Sequence, residues 1–475
     1  MTSMTSMTSM NIKYLYSRMS IYVGNISNIN IIDDIKDATK VTKAAKAAKA
    51  AKANAAGAAD ITILVSSSNA DKADMVINNS LDILLRSADI KNFLCNISKK
   101  GVLFNLEKIN KSLVKGFVYR IIQGLYAFNK YKSVKGVDKN IVFYTPQLNK
   151  ADITRLFGVI SYANLSRNII NEPSNIFTPE KMAAYACRLF SNTKYVKVNN
   201  YRHADIKKMG LRLIDAVGGS SRNKPCFVVL EYKPPKCKKT VCLVGKGVTI
   251  DTGGYSMKRE KHMEKMYMDK EGAGISLGLF KYLVDSGYEH HVVCLCPLVE
   301  NIVSDISIKP NDIIKSYNGT SVEIVNTDAE GRLILADALA YACKNYKPDY
   351  IFDYATLTGW SERIHCHTSF TYFTLNDRLA KDIELYNKEY AEKSIRMPPW
   401  VEYITFIKSN IADVKNSGYK CKNSDGLMAS LFLMNFIPAI YRKNWIHFDV
   451  RLSNYNNTVN IADGFATYLE IIKNI

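Results

Sequence analysis

From residue 227 to residue 354 the chain alternates short apolar runs with longer stretches of helical period. The runs at 227–232, 241–248, 291–297, 321–325 and 349–354 predict strands, and the patterns at 272–284 and 329–344 predict helices. Strands alternating with helices build a largely parallel sheet covered on both faces. Such sheets bind ligands at the carboxyl ends of their strands. A smaller pattern precedes this one, with strands at 61–66, 101–106 and 140–144 and helices at 73–86 and 112–130. A long helical pattern at 151–171 then runs into Asn171-Glu172-Pro173, where proline breaks the register and where we place the interdomain connection. The expected fold class is α/β: a small N-terminal α/β domain over residues 1–150, and a larger α/β domain over residues 151–475 with a mainly parallel central sheet flanked by helices.

Two stretches stand outside this alternation. Residues 1–30 open on Met-Thr-Ser repeated three times, and residues 39–60 carry an Ala-Ala-Lys triplet repeat; both read as low-complexity and poorly ordered. A lysine every third residue drifts around a helix instead of forming a stripe, so the repeat is a solvated helix or a disordered insert, not a membrane anchor. No apolar h-region follows the first methionine and no run of eighteen apolar residues occurs, so neither a secretory signal nor a membrane span is expected. A cytoplasmic protein is the expectation. An organellar leader is the second option, because the first thirty residues hold Lys13 and Arg18 and no acid.

Charge changes this picture little. Lysine and arginine total 64 against 44 acids, a net +20 that attracts polyanions. Apart from residues 40–52 and 233–239 the excess is dispersed, whereas a nucleic-acid groove needs a localised patch. The ten cysteines show no Cys-x-x-Cys pair, which argues against a zinc ribbon or a disulfide scaffold. Cys294 and Cys296 alternate along one apolar run as core thiols.

The chemistry gathers at Asn326-Thr-Asp-Ala-Glu-Gly-Arg332, just before the apolar helix at 329–344. In extended or turn geometry, side chains two apart point the same way, so Asp328, Glu330 and Arg332 can face one small volume. Two readings are open at this stretch. The acids cap the helix N-terminus, or they share a hard divalent ion that relieves their mutual repulsion.

A second stretch, residues 244–258, carries Lys246, Asp251 and Lys258, and a charged loop after it reaches Asp269. Together with Asp328, Glu330 and Arg332, these seven residues at this spacing resemble the active-site set of the leucine aminopeptidase family, the cytosolic dinuclear-metal aminopeptidases. The resemblance continues at residues 171–179, 218–221, 230–232, 297–301, 355–359 and 445–449, covering residues 150–475, with a weaker match at 124–132. It implies a metal-dependent aminopeptidase that releases leucine-like N-terminal residues from peptides. Two divalent ions, zinc or manganese, would sit in each subunit: one on Lys246, Asp251, Asp269 and Glu330, the other on Asp251, Asp328 and Glu330. An ammonium has no lone pair, so Lys246 would have to lose a proton, at a cost of about 4 kcal/mol from an ordinary pKa of ~10.4. Burial and two adjacent dications can supply that. Lys258 would stabilise the oxyanion, and Arg332 would bind a bicarbonate acting as general base. Thr356, Leu357 and Gly359 would line the substrate pocket with Met266, which reads equally well as core packing. Family members are homohexamers. The rival reading is a catalytically weak homologue serving as a nucleic-acid-binding or scaffolding hexamer.

Other motifs read more plainly. Gly245-Lys-Gly247 lacks the spacing of a phosphate loop. His365-Cys-His367 has no second cluster to close a metal site and reads as part of a packed strand, and His262 reads as solvated. Ser361 and His447 lack a nucleophile-elbow context. The chain departs from the family's usual pattern after Asp269, at residues 270–274, and after Asp449, at residues 450–454, which bears on local helix packing and on the pocket wall or subunit contact.

Overall fold

The computed structural model describes residues 29–31, 101–105, 111–124, 126–133, 140–144, 148–365, 369–418, 424–451 and 462–475. The stretches predicted at 39–60, 61–66 and 73–86 lie outside the described residues, as does nearly all of 1–30. The chain forms two compact units, residues 1–164 with Lys388–Ala391, and Leu165–Asn387 with Glu392–Ile475. The division falls inside the helix Lys150–Ile170.

In the first unit, strands β1 (Ile29–Ile31), β2 (Gly101–Asn105) and β3 (Asn140–Tyr144) form a parallel sheet in the order β1-β3-β2. The helix Lys111–Gly124 buries Val114, Phe117, Val118, Ile121 and Ile122, whose spacing puts them on one face. It ends at Gly124, six residues short of the predicted boundary at 130, and residues 126–129 have no regular structure. Strand β1 had no counterpart in the sequence pattern.

The second unit is built on a nine-stranded sheet. Its strands are β4 (Val196–Arg202), β5 (Cys226–Tyr232), β6 (Thr240–Gly245), β7 (Gly247–Asp251), β8 (His291–Asn301), β11 (Tyr350–Ala355), β12 (Phe370–Phe373), β13 (Ser394–Arg396) and β15 (Trp445–Asp449). The order is β13-β12-β15-β11-β6-β8-β5-β4, with β7 added alongside β8. The centre, β15-β11-β6-β8, is parallel, and β4, β5 and β12 join antiparallel. The sheet is therefore mainly parallel, as the alternating pattern predicts.

Alternation along each strand decides which helix it meets. Cys242, Val244, Val293, Leu295 and Ile351 pack on one face with the helices Arg212–Gly218, Gly331–Tyr346 and Asp425–Met434. On the other face, Tyr354, Phe370 and Phe448 meet Tyr468 of the helix Phe465–Lys473, with ring centroids 4.6–5.1 Å apart. Cys294 and Cys296 share one face, buried, with sulfurs 3.7 Å apart, as read from their alternation.

Three details differ from the sequence pattern. The run predicted at 241–248 is two strands, β6 and β7, broken at Lys246. Residues 321–325 do not join the central sheet: β10 (Ser321–Glu323) lies between β9 (Ile313–Lys315) and β14 (Val414–Lys415) in a small sheet of its own. Only Val322 and Glu323 of β10 are buried, too little apolar surface to hold a central position. His365 ends a helix, Trp360–His365, where a strand had been read, and residues 366–368 lie outside the described residues.

Candidate active site

The break at Lys246 and the ends of β7, β8 and β11 meet at the carboxyl edge of the sheet, together with the segment leading into the helix Gly331–Tyr346. Lys246 is buried; its Nζ donates to the Thr356 carbonyl at 2.8 Å and forms ion pairs with Asp269 Oδ2 at 2.8 Å and Glu330 Oε1 at 2.9 Å. Room for it comes from Gly331, where an added Cβ would lie 2.5 Å from Lys246 Cε and 2.7 Å from Nζ. Lys258 pairs with Asp251 Oδ2 at 2.8 Å and with Asp328 Oδ1.

Each acid is held by further groups. Asp251, the last residue of β7, accepts at Oδ1 from the Gly253 N–H and from Asn301 Nδ2, both at 2.8 Å. The turn that aims the Gly253 N–H requires φ of +85°, which glycine adopts without strain. Asp269 follows a short 3-10 turn, Met266–Met268, and accepts at Oδ1 from the Thr356 hydroxyl at 2.6 Å. The segment 325–330 is braced from two sides. Thr327 Oγ1 donates to Gly253 O at 2.7 Å and accepts from the Ser256 N–H at 2.8 Å. Buried Asn416 accepts at Oδ1 from the Val325 and Asn326 N–H groups, at 2.9 and 3.3 Å, and donates through Nδ2 to Asn326 O at 2.6 Å.

Four carboxylates thus surround two ammonium groups and leave the cluster short of positive charge. Burial pushes Asp269 up to about 8, with Asp251 and Glu330 adding to the effect and Lys246 opposing it. Burial likewise raises Asp328 to about 7, with Asp251 and Glu330 adding and Lys258 opposing. For Lys246 and Lys258 burial works to lower the pKa, but the carboxylates around them outweigh it and hold both above the ordinary lysine value. Ligating oxygens of Asp251, Asp328 and Glu330 lie within 4.8 Å of one another. An all-oxygen set with surplus negative charge fits a hard divalent cation, which would take over the charge balance now supplied by protons on the carboxyl groups.

Arg332 stands beside this cluster in the first helical turn. It is buried, with Nη1 donating to Asn416 O at 2.9 Å and Nη2 3.5 Å from Asp425 Oδ1. Thr356 is buried against Lys246 and Asp269, Leu357 and Met266 are half-buried, and Gly359 is exposed. His262 is exposed. Ser361 Oγ bonds Thr371 Oγ1 at 2.7 Å, and buried His447 donates through Nδ1 to Asp353 Oδ1 at 2.6 Å, so neither residue is built into a serine-hydrolase pair. After Asp269, where the chain departs from the family pattern, Lys270 is buried and donates to the carbonyls of Glu172, at 2.8 Å, and of Tyr267. Burial pulls its pKa down to about 7, with Glu172 and Asp269 opposing.

This edge of the sheet lies wholly inside a match to a family model: residues 164–469 fit the catalytic domain of the cytosol aminopeptidase family. The chain belongs to the cytosol aminopeptidase family. A probable cytosol aminopeptidase of Chlorobium limicola is 36% identical over 395 residues, covering 79% of this chain and 78% of that protein. Among solved structures, the cytosol aminopeptidase of Coxiella burnetii superposes with a TM-score of 0.74 at 26% identity, covering 82% of this chain and 84% of that one. The bottromycin maturation enzyme BotP in complex with Mn gives 0.73 at 25%, covering 82% and 86%. This cytosol aminopeptidase family member is therefore an α/β aminopeptidase, an enzyme acting on peptide bonds. Among the described residues no helix is long and apolar enough to cross a membrane.

Asn301, Thr327 and Asp449 lie in segments that the sequence marks but carry no role there, and Asn416 lies outside every marked segment. Asn416 in particular has no charge and no motif, and only its position across from residues 325–329 reveals it.

Proposed function

We propose that this aminopeptidase removes leucine-like N-terminal residues from peptides at a dinuclear metal centre held by Lys246, Asp251, Asp269, Asp328 and Glu330. The observation that carries the proposal is the convergence of the Asp251, Asp328 and Glu330 oxygens within 4.8 Å, flanked by two lysines. By family resemblance, Lys246, Asp251, Asp269 and Glu330 take one ion and Asp251, Asp328 and Glu330 the other. Two divalent ions supply Lewis-acid polarisation of a carbonyl and an acidified water. Manganese and zinc are the ions to test, manganese first because it occupies the similar BotP structure.

The chain's own residues do the rest. Thr356 fixes Asp269 through its hydroxyl and Lys246 through its carbonyl, so these two ligands cannot drift apart. Lys258 is held protonated by the acids around it and offers an N–H donor to the oxyanion that develops when a peptide carbonyl is attacked. Arg332 is the bicarbonate-binding group of this reading, with a bound bicarbonate as general base. Met266, Leu357 and Gly359 bound the pocket for the first side chain. The same reading includes a homohexamer working in the cytoplasm, which light scattering and cell fractionation test.

Exhaustive chelation should abolish hydrolysis of a leucyl dipeptide, and added manganese or zinc should restore it. Unchanged turnover after chelation would sink the two-metal reading.

A further inference from the structure

The turn that carries Thr356 has an anchor of its own. At the end of β15, Asp449 is fully buried, and its carboxylate receives three hydrogen bonds from two consecutive residues. Oδ1 accepts from the Leu357 N–H at 3.1 Å and the Thr358 N–H at 3.2 Å, and Oδ2 accepts from the Thr358 hydroxyl at 2.7 Å. A buried carboxylate is costly unless charge-assisted bonds compensate it. Here those bonds go to one turn, which continues directly from the residue that holds Lys246 and Asp269.

The carboxylate is itself fixed from the sheet. Asp449 pairs in register with Ala355 of β11, and the Val450 N–H donates to Ala355 O at 2.8 Å. Two residues back, His447 lies on the same face of β15 and is locked to Asp353, which also accepts from Trp445 Nε1 at 2.6 Å. The Ser361 and Thr371 hydroxyls approach the Asp449 carbonyl at 3.4 Å. A continuous set of hydrogen-bonded and in-register groups therefore runs from Trp445 in the core to Thr356.

We propose that Asp449 is the positioning residue of the metal cradle: it fixes the turn 356–358, and through Thr356 it sets where Lys246 and Asp269 stand. It touches neither substrate nor ligating atoms, and its effect on chemistry is exerted through Thr356. The inference rests on the metal-centre reading above.

The test is titration of metal-free full-length protein with manganese by calorimetry, alongside melting temperature and kcat on a leucyl dipeptide. Asp449→Ala removes all three bonds and should weaken manganese binding tenfold or more and lower kcat. Asp449→Asn keeps an acceptor for the two backbone N–H groups and should recover most of the affinity. Thr358→Val removes only the hydroxyl bond and should cost several-fold in affinity at a nearly unchanged melting temperature. If Asp449→Ala does not fold, this last variant carries the test. Wild-type affinity in Asp449→Ala or in Thr358→Val would overturn the inference, as would equal losses in Asp449→Ala and Asp449→Asn. Failure of the wild-type protein to bind manganese or zinc would overturn the metal-centre reading and this inference with it.

Discussion

Gly331 and Lys246 are complementary: the space a Cβ would occupy on Gly331 is filled by the end of the Lys246 side chain, 2.5 Å from the built Cβ at Cε. The glycine after Glu330 is thus a matter of volume. Gly331→Ala should push Lys246 out of its contacts with Asp269 and Glu330, with an overpacking cost of about 1–3 kcal/mol. Metal affinity and kcat should fall together, and a variant that keeps both would show that the lysine has another place to go.

Lys258 and Asp251 are 2.8 Å apart but should fail differently when removed. Asp251→Ala deletes a proposed ligand of both ions and should lose metal and activity at once. Lys258→Ala leaves every carboxylate in place and should retain metal while kcat drops by about 10²-fold or more. Metal content and kcat measured on the same preparations separate the two, and a metal-free Lys258→Ala protein would contradict the role given to Lys258.

Asn416 ties the segment 325–330 to β14, meeting Val325, Asn326 and Arg332 through its side chain and its carbonyl. Asn416→Ala removes these bonds from the half-buried backbone of Val325 and Asn326, a loss of about 1–3 kcal/mol. Denaturant unfolding should show the lowered stability, and kcat/KM should fall because Asp328, Glu330 and Arg332 share the brace. A stable, fully active Asn416→Ala protein would mean the segment holds its shape unaided.

His447 gives stability a pH dependence. Burial works to lower its pKa, but the adjoining Asp353 carboxylate and the hydrogen bond to it prevail and raise it above the ordinary value near 6.5. Below that ordinary value both the folded and the unfolded chain carry the proton, and the pair's contribution is complete. As pH rises above it the unfolded chain gives up its proton first, so the contribution shrinks, and it is gone once pH passes the folded value. The pair's contribution should therefore fall from about pH 6.5 upward, and His447→Gln should make the pH slope there shallower. Urea unfolding of both proteins at several pH values measures it, and an identical slope in His447→Gln would rule the pair out as the source.

Apolar period by itself determined the parallel centre of the sheet, because strands that alternate with helices must bury both faces. The placing of Lys246 and Asp251 at the tail of one apolar run followed from the same pattern, whereas Asp328 follows β10, which lies outside the central sheet; the seven residues that mark the family were legible as residue types at fixed spacing. Which acid meets which lysine was not. Lys246 goes to Asp269, Glu330 and Thr356, while Lys258 goes to Asp251 and Asp328, a division made by the close approach at Gly331 and the left-handed turn at Gly253. The carbonyl of Thr356 is 110 positions from Lys246, and a backbone oxygen carries no mark in a sequence. Asn416 and Asp449 are an ordinary amide and an ordinary acid until the sheet sets them across from residues 325–329 and 356–358. Their roles were decided by tertiary structure alone, because a hydrogen bond depends on where two groups end up in space and not on their separation along the chain.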